Sequence, residues 1–471
     1  MSNAKPLGYD SLKAVLPYMK VNQRYEMSYR MPSLKHLDKL LPSRFDCVEF
    51  DFCQTRVNDT TYRLGLVRQY PEGYDVPMSH KQENDEGGKG MDMTEHGFDQ
   101  MLYRHVITPG DVDIAPGQLI PQDGRVHDDN RVLYERHVQA YEKALALRLE
   151  QGDEPSNNDP IGNEGYDQLL GINLLAGARE KRLLRHVLQF STGSIRKKLE
   201  DYKAKLVPFH CREHNTPLPF VPMIQLTVSS PEGTKIYRHA YNMKLQEAMK
   251  ELNTKLFGNR DGVHHISSLI LKQPVMVIRL PVGFRVTVGG LSIAGAPNLN
   301  LKALQSFAEE SSYPIKMLEM TGRFLRIVDY DYPKVKSART LIIENGPQVL
   351  DLLPFIRSLQ NQNVIFKCHV SALQAQQQVI LVENWIDSEM EIGRTLSLEL
   401  LGMPSVRYLL SQIELRFLGN RGHENMVIMP MRNGNNLQVT CIRLNNLPPR
   451  HDLANWRIEM KVVPGAEEEE Y

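Results

Sequence analysis

Apolar residues follow two periods along the chain, and the switch between them marks its elements. Leu12, Val15, Leu16 and Met19 recur at helical spacing, which predicts a helix over 10–19 with one apolar face, bent or shortened at Pro17. Asp10 or Ser11 can cap its start. A second short helix is expected over 22–30. A third should begin at Pro32 and carry Leu34, Leu37, Leu40 and Leu41 before Pro42 stops it. From residue 45 the period is two. Val48, Phe50 and Phe52 alternate with polar or small residues, and so do Tyr62, Leu64 and Leu66 beyond the turn Val57-Asn58-Asp59, which predicts a β-hairpin. A second hairpin is expected over 221–240, with Ile224, Leu226 and Val228 before a turn at 230–233. A helix should follow, capped by Asn242, lined by Leu245, Met249, Leu252 and Leu256, and closed by Gly258.

Between residues 266 and 400, short alternating triplets start at Leu269, Leu291, Leu318, Leu341, Val364 and Leu396, spaced by 22, 27, 23, 23 and 32 residues. Helical stretches at 301–308, 348–359 and 372–386 fall between several of them. A strand plus a helix every 20–29 residues is the period of a leucine-rich-repeat-like stack. The asparagine or cysteine ladder of such repeats is absent, and an ordinary α/β sheet would share the local pattern. Four alternating runs, 412–418, 426–432, 437–443 and 456–463, predict an antiparallel sheet closing the fold.

Charge changes this picture in the middle of the chain. Overall, 56 basic residues balance 56 acidic ones in 471, which argues against a polyanion binder and so against nucleic acid as the main partner. Residues 71–170 nevertheless hold 21 Asp/Glu against 8 Lys/Arg. Order is expected to be lost there, with 152–165 a solvated linker and a helix only over 131–151. Residues 171–260 reverse the sign, with 16 Lys/Arg against 7 Asp/Glu. The stretch REKRLLRHVLQFSTGSIRKKLEDYKAK reads as a basic amphipathic helix facing the acidic block of its own chain. Five scattered cysteines point to a reducing compartment. No export signal opens the chain, and no apolar run approaches the roughly 18 residues that cross a bilayer. A cytoplasmic or nuclear protein without a membrane partner is expected, and 467–470 should be a frayed tail.

A search for chemistry yields no catalytic residue, cofactor site or metal site. Gly87-Gly88-Lys89-Gly90 lacks the preceding strand and the Ser/Thr of a phosphate loop. Asp111/Asp113 and Asp329/Asp331 are pairs of carboxylates, too few for a dedicated cation cage. Ser292 stands mid-strand rather than on a nucleophile elbow. His210, Cys211 and His214 offer three soft ligands within five residues but no fourth, and a surface loop beside Pro208 and Pro217 is the plainer expectation. His264-His265 has no neighbouring carboxylate in sequence. Trp385 and Trp456 are expected in the core. The chain is therefore expected to catalyse nothing.

The opening segment PLGYDSLKAVLPYMKVNQRYEMSYRMPSLKHLDKLLP resembles a divergent F-box of the expanded F-box families of nematodes. Its L-xx-V-L helix, R-xxx-S-x-R helix and P-S-L-xx-L helix carry the likeness. VNDTTYRLGLVRQYPEG, ITPGDVDI, LTVSSPEGTKI, IRLPVGF and LVENWID followed by LSLEL resemble the associated region of the same proteins, a domain without assigned function. The order Pro6-Leu7 replaces the Leu-Pro that opens a typical F-box, and no tryptophan precedes Trp385. The resemblance implies a substrate receptor of a Skp-cullin-F-box ubiquitin ligase, with the Skp adaptor and a target protein as partners. By motif position it implies that Leu7, Leu12, Val15, Leu16 and Met19 serve the module's core or its adaptor face. An F-box-like scaffold or interaction protein unconnected with ubiquitin is the alternative, and a nucleic-acid-associated protein using the basic stretch 179–205 is a weaker third. The expected fold is α+β, with an F-box-like three-helix module (1–44) and an associated region of hairpin, acidic linker and basic helix (45–210). A repeat-like βα target-binding domain (211–410) and a C-terminal antiparallel sheet (411–471) follow.

Overall fold

The computed structural model describes residues 9–100, 106–114, 126–151, 176–258, 260, 262–273, 276–321, 327–344, 353–367, 375–401, 403–417, 419–423, 425–444 and 455–465. The proposed linker over 152–165 and the tail over 467–470 lie outside these. The chain forms a mixed α+β protein of two compact units. One comprises residues 1–60, 107–118 and 252–471, and the other residues 61–106 and 119–251.

The first unit is built on a mixed sheet. Strands Arg44–Asp51, His264–Leu271, Val286–Ile293, Met317–Met320, Thr340–Ile343, Asn363–Phe366 and Thr395–Leu401 run parallel, each beside the next in chain order. The triplet starts are in register: Leu269, Leu291, Leu318, Leu341, Val364 and Leu396 form one rung, extended by Val48 on one side and Met460 on the other. Every member is buried. Two residues on, Phe50, Leu271, Ile293, Met320, Ile343, Phe366 and Leu398 form a second buried rung on the same face. Because crossovers between parallel strands are right-handed, a chain that steps steadily in one direction puts its connections on one face. The aromatic contacts agree. Phe355 of helix Leu353–Ser358 meets Tyr330 and Phe366, and Phe257 meets Phe45 and Phe50.

Past Thr395–Leu401 the sheet turns antiparallel through Asn455–Val463, Asn436–Arg443, Met426–Pro430 and Asn420–His423. Of the run 412–418, expected as a strand, residues 412–417 instead belong to helix Met403–Phe417 and 418 lies outside the described residues. Leu409, Leu410 and Ile413 are buried at helical spacing, whereas Leu415, which the alternation would bury, is 78% exposed.

The N-terminal helices are Tyr9–Val15, continued by a 3₁₀ turn Leu16–Tyr18 at Pro17, then Val21–Arg30 and Pro32–Lys39. The first already includes Asp10 and Ser11, so neither acts as the cap expected of it. Leu16, Val21, Leu34 and Leu37 are buried. A charged joint fastens these helices to the rest of the unit. Asp38 accepts from Arg24 Nε at 2.6 Å and from Arg260 Nη2 at 2.6 Å, and both guanidinium groups also donate to its main-chain carbonyl. Beside the joint, His264 Nδ1 accepts from the Ser43 amide at 3.1 Å, with its ring against Phe45 and Phe284. Burial, helped by Arg260 and Arg24, pushes the imidazole pKa down to about 4. The unfolded chain binds a proton near pH 6.5 that the fold rejects until about pH 4, so stability should fall by about 2–4 kcal/mol across that window on acidification. A urea stability profile between pH 6.5 and 4 that is less steep for His264→Gln than for wild type would bear this out, His80, which burial also holds at about 4, keeping part of the slope in both. Equal slopes would refute it.

In residues 45–70 there are three strands rather than two. Arg44–Asp51 pairs with Gln54–Val57 across a turn at Phe52-Cys53, and Thr60–Gln69 follows. The second unit pairs Thr60–Gln69 with Val221–Ser230, and that strand with Gly233–Ala240, all antiparallel, as the 221–240 pattern predicted. Helices Val126–Gln151, Ala176–Val187 and Thr192–His214 pack around Tyr141, Ala144, Val187, Phe190, Ile195 and Leu199. The basic stretch is thus two helices, divided where Ser191 caps the second. Lys203 reaches Glu142 and Arg131 reaches Glu213, so charges of the two blocks do meet.

Residues 71–100 are ordered, contrary to the expectation from their charge. Helix Met78–Asp85 and the strand pair Asp92–Met93 and Asp99–Gln100 sit around a four-charge cluster in which Glu83 and Asp99 bind Arg68 and Lys89. Pairing removes the repulsion that made the segment look solvated. The helix after the hairpin runs Leu245–Phe257, and its first amide donates to Asp92 at 2.8 Å. Asp92, distant in sequence, takes the place expected of Asn242. Gly258 closes it as expected, donating to the Thr254 carbonyl.

Candidate interaction faces

With helices on one face of the parallel sheet, the alternate residues line the other. One outward row runs Ser268, Gly290, Met317, Thr340, Asn363 and Thr395. Its far end is a hydrogen-bonded ladder: Thr395 Oγ1 donates to Asn363 Oδ1 at 2.9 Å, and Asn363 Nδ2 donates to Thr340 Oγ1 at 3.2 Å. The next row runs Glu49, Ile270, Ser292, Glu319, Ile342, Ile365 and Ser397. Its carboxylates are matched by cations. Glu49 meets Arg56 and Lys272, and Glu319 meets Lys367 across an intervening strand. Met317 and Lys367 are exposed, and most of the remaining residues are half-buried. The result is a charge-balanced face with an isoleucine pair at its centre. Seven strands at ~4.8 Å spacing give it a width of about 29 Å.

Cys47 lies on this face, beside Arg56, yet burial dominates and, with Glu49 and Asp46, raises its thiol pKa, so the thiolate is disfavoured. Burial pushes Cys441 up to about 12. Ser292 stands within its strand. Arg279 binds Asp111 at 2.7 Å, and Lys336 pairs with Asp331 at 3.1 Å. Lys89, the lysine of the glycine cluster, is held by Asp99 and Glu83. Gly88 sits at φ +87 so close to Leu66 that a Cβ would lie 2.8 Å from its backbone. Trp385 and Trp456 are buried, as expected.

The residues expected to serve the N-terminal module separate. Leu16 is core at 1% exposure, Met19 is half-buried and Val15 is 43% exposed. Leu12 lies in helix Tyr9–Val15, and Leu7 is outside the described residues. Tyr18, at 91%, is nearly wholly exposed, and Met31 and Leu40 are exposed as well. Helical spacing had grouped Val15 with Leu16. Pro17 ends the regular helix at Val15 and so changes which side chains share a face.

His210 and His214 stand on the last turn of helix Thr192–His214, not on a loop. Cys211 is buried, its thiol 3.7 Å from the Pro217 carbonyl. Sequence reading missed Glu213, although positions i, i+3 and i+4 of a helix share a face and i+1 does not.

Residues 244–401, about a third of the chain, match a family model described as a domain of unknown function (DUF3557). The match spans the parallel strands from His264 to Leu401. No curated protein and no solved structure matches the chain. Among the described residues, no helix is long and apolar enough to cross a membrane.

Proposed function

We propose that the chain is a non-catalytic receptor that holds a target protein on the outward face of its parallel sheet and docks the Skp adaptor through its N-terminal helices. The carrying observation is the separation of roles in those helices. Leu16, Val21, Leu34 and Leu37 supply a core, while Val15, Tyr18, Met31 and Leu40 are left exposed. Large exposed apolar side chains beside a buried core are what an adaptor-binding helical module requires. The sheet supports the second half of the reading. Strands in chain order with helices on one side favour a leucine-rich-repeat-like stack, whose strand face is suited to grip a protein.

Capture of the full chain by purified Skp adaptor tests the reading. Tyr18→Glu, on an exposed side chain, should leave thermal stability within about 0.5 kcal/mol and weaken capture by tenfold or more. Leu16→Glu should instead unfold the helices. Undiminished capture by folded Tyr18→Glu protein would remove this face. A folded wild type that captures no adaptor would remove the ligase and leave a scaffold unconnected with ubiquitin.

A further inference from the structure

We propose that His210, Glu213 and His214 form a site for a divalent transition-metal ion on the last turn of helix Thr192–His214. Their candidate ligand atoms, one imidazole nitrogen from each histidine and a carboxylate oxygen, all lie within 4.8 Å of one another. The two rings lie nearly parallel, with centroids 6.3 Å apart. A tetrahedral ion with bonds of about 2.0–2.2 Å holds its ligand atoms about 3.3 Å apart. The three groups therefore close in by roughly 1–1.5 Å, which side-chain rotation supplies because all three are exposed.

Three features favour a cation here. Two imidazoles and one carboxylate suit zinc, nickel or copper, whereas calcium and magnesium prefer oxygen alone. The site occupies the C-terminal turn of a 23-residue helix, where the backbone dipole presents its negative end. Asn215, at φ 48, terminates the helix directly after His214 and fixes the turn, its amide donating to the Cys211 carbonyl. Nearby charges are disposed to permit binding. Arg212 lies over the rings of Phe98 and Phe209, 5.1 and 5.7 Å from their centroids. Arg131 donates to Glu213 at 3.0 Å and is also bound to Glu135 at 2.8 Å, so it keeps a carboxylate partner when Glu213 turns to the metal. Three protein ligands leave the fourth position facing solvent, open to water or to a side chain of a bound partner.

Zinc titration of the metal-stripped full chain by calorimetry tests the site. One equivalent should bind, with affinity reduced tenfold or more in His210→Ala and in His214→Ala and to a lesser degree in Glu213→Gln. His239→Ala, on an exposed strand, should bind as wild type does. Excess magnesium should not compete. Matching circular dichroism spectra would show that the variants remain folded. No stoichiometric uptake by the wild type would overturn the proposal. So would wild-type affinity in the folded His210→Ala/His214→Ala double variant.

Discussion

Asp38→Ala is expected to cost about 3–5 kcal/mol of stability. The reason is what remains rather than what is removed. Arg24 and Arg260 are 1% and 5% exposed in their side chains, and both are neutralised by this one carboxylate. Deleting it leaves two desolvated guanidinium groups that repel each other. Burial alone would raise the Asp38 pKa, but hydrogen bonds and charge from Arg260 and Arg24 outweigh it and hold the carboxyl below its ordinary value of 3.8. A depressed carboxylate stabilises the fold above the unfolded value, and that stability drains away as pH falls through the folded one. Its window lies below pH 4, adjoining the His264 window above. Denaturant titration at pH 7 decides the matter. A loss under about 1 kcal/mol would mean that water replaces the carboxylate and that the joint is not desolvated.

Leu341→Ala should cost about 2–5 kcal/mol, and Met317→Ala on the neighbouring strand no more than about 0.5. Leu341 is wholly buried between Leu318 and Val364 in the first rung, with the second rung two residues along on the same face. Removing its branched end opens a cavity that four-residue strands, held on both sides, cannot collapse to fill. Met317 points to the opposite face and is 41% exposed, so truncation removes little buried area. The same Met317 substitution should show itself in target binding if the outward face is used. Chemical denaturation of both variants gives the comparison. Similar losses would mean that the outward face is covered rather than open.

The parallel sheet was legible in the sequence because its signal is local and repeated. The triplets beginning at Leu269, Leu291, Leu318, Leu341, Val364 and Leu396 announced each strand and also fell into one rung. What escaped depended on distant partners or on competing periods. Residues 412–418 alternate as cleanly as any strand, yet Leu409, Leu410 and Ile413 supply a helical stripe that burial prefers. Asp92 capping the helix at Leu245 is a long-range event with no local sign. Asp38 between two arginines needs three segments brought together, and only its place in a helix could be read. The candidate metal cluster lay nearer to hand, because counting along a helix rather than along the sequence selects Glu213 over Cys211.

The pairing of Arg44–Asp51 with His264–Leu271 has a consequence for synthesis on the ribosome. The strand leaves the exit tunnel long before its parallel neighbour exists. Some 220 residues separate the two, and at about 5–20 residues per second the wait is roughly 10–40 s. Throughout that interval Val48 and Phe50, which end fully buried, lack their parallel neighbour and have the Gln54–Val57 strand on the other side. The first strand of the stack thus waits through nearly half of the chain's translation for its parallel neighbour, and the nascent chain carries an unfinished sheet edge over that interval.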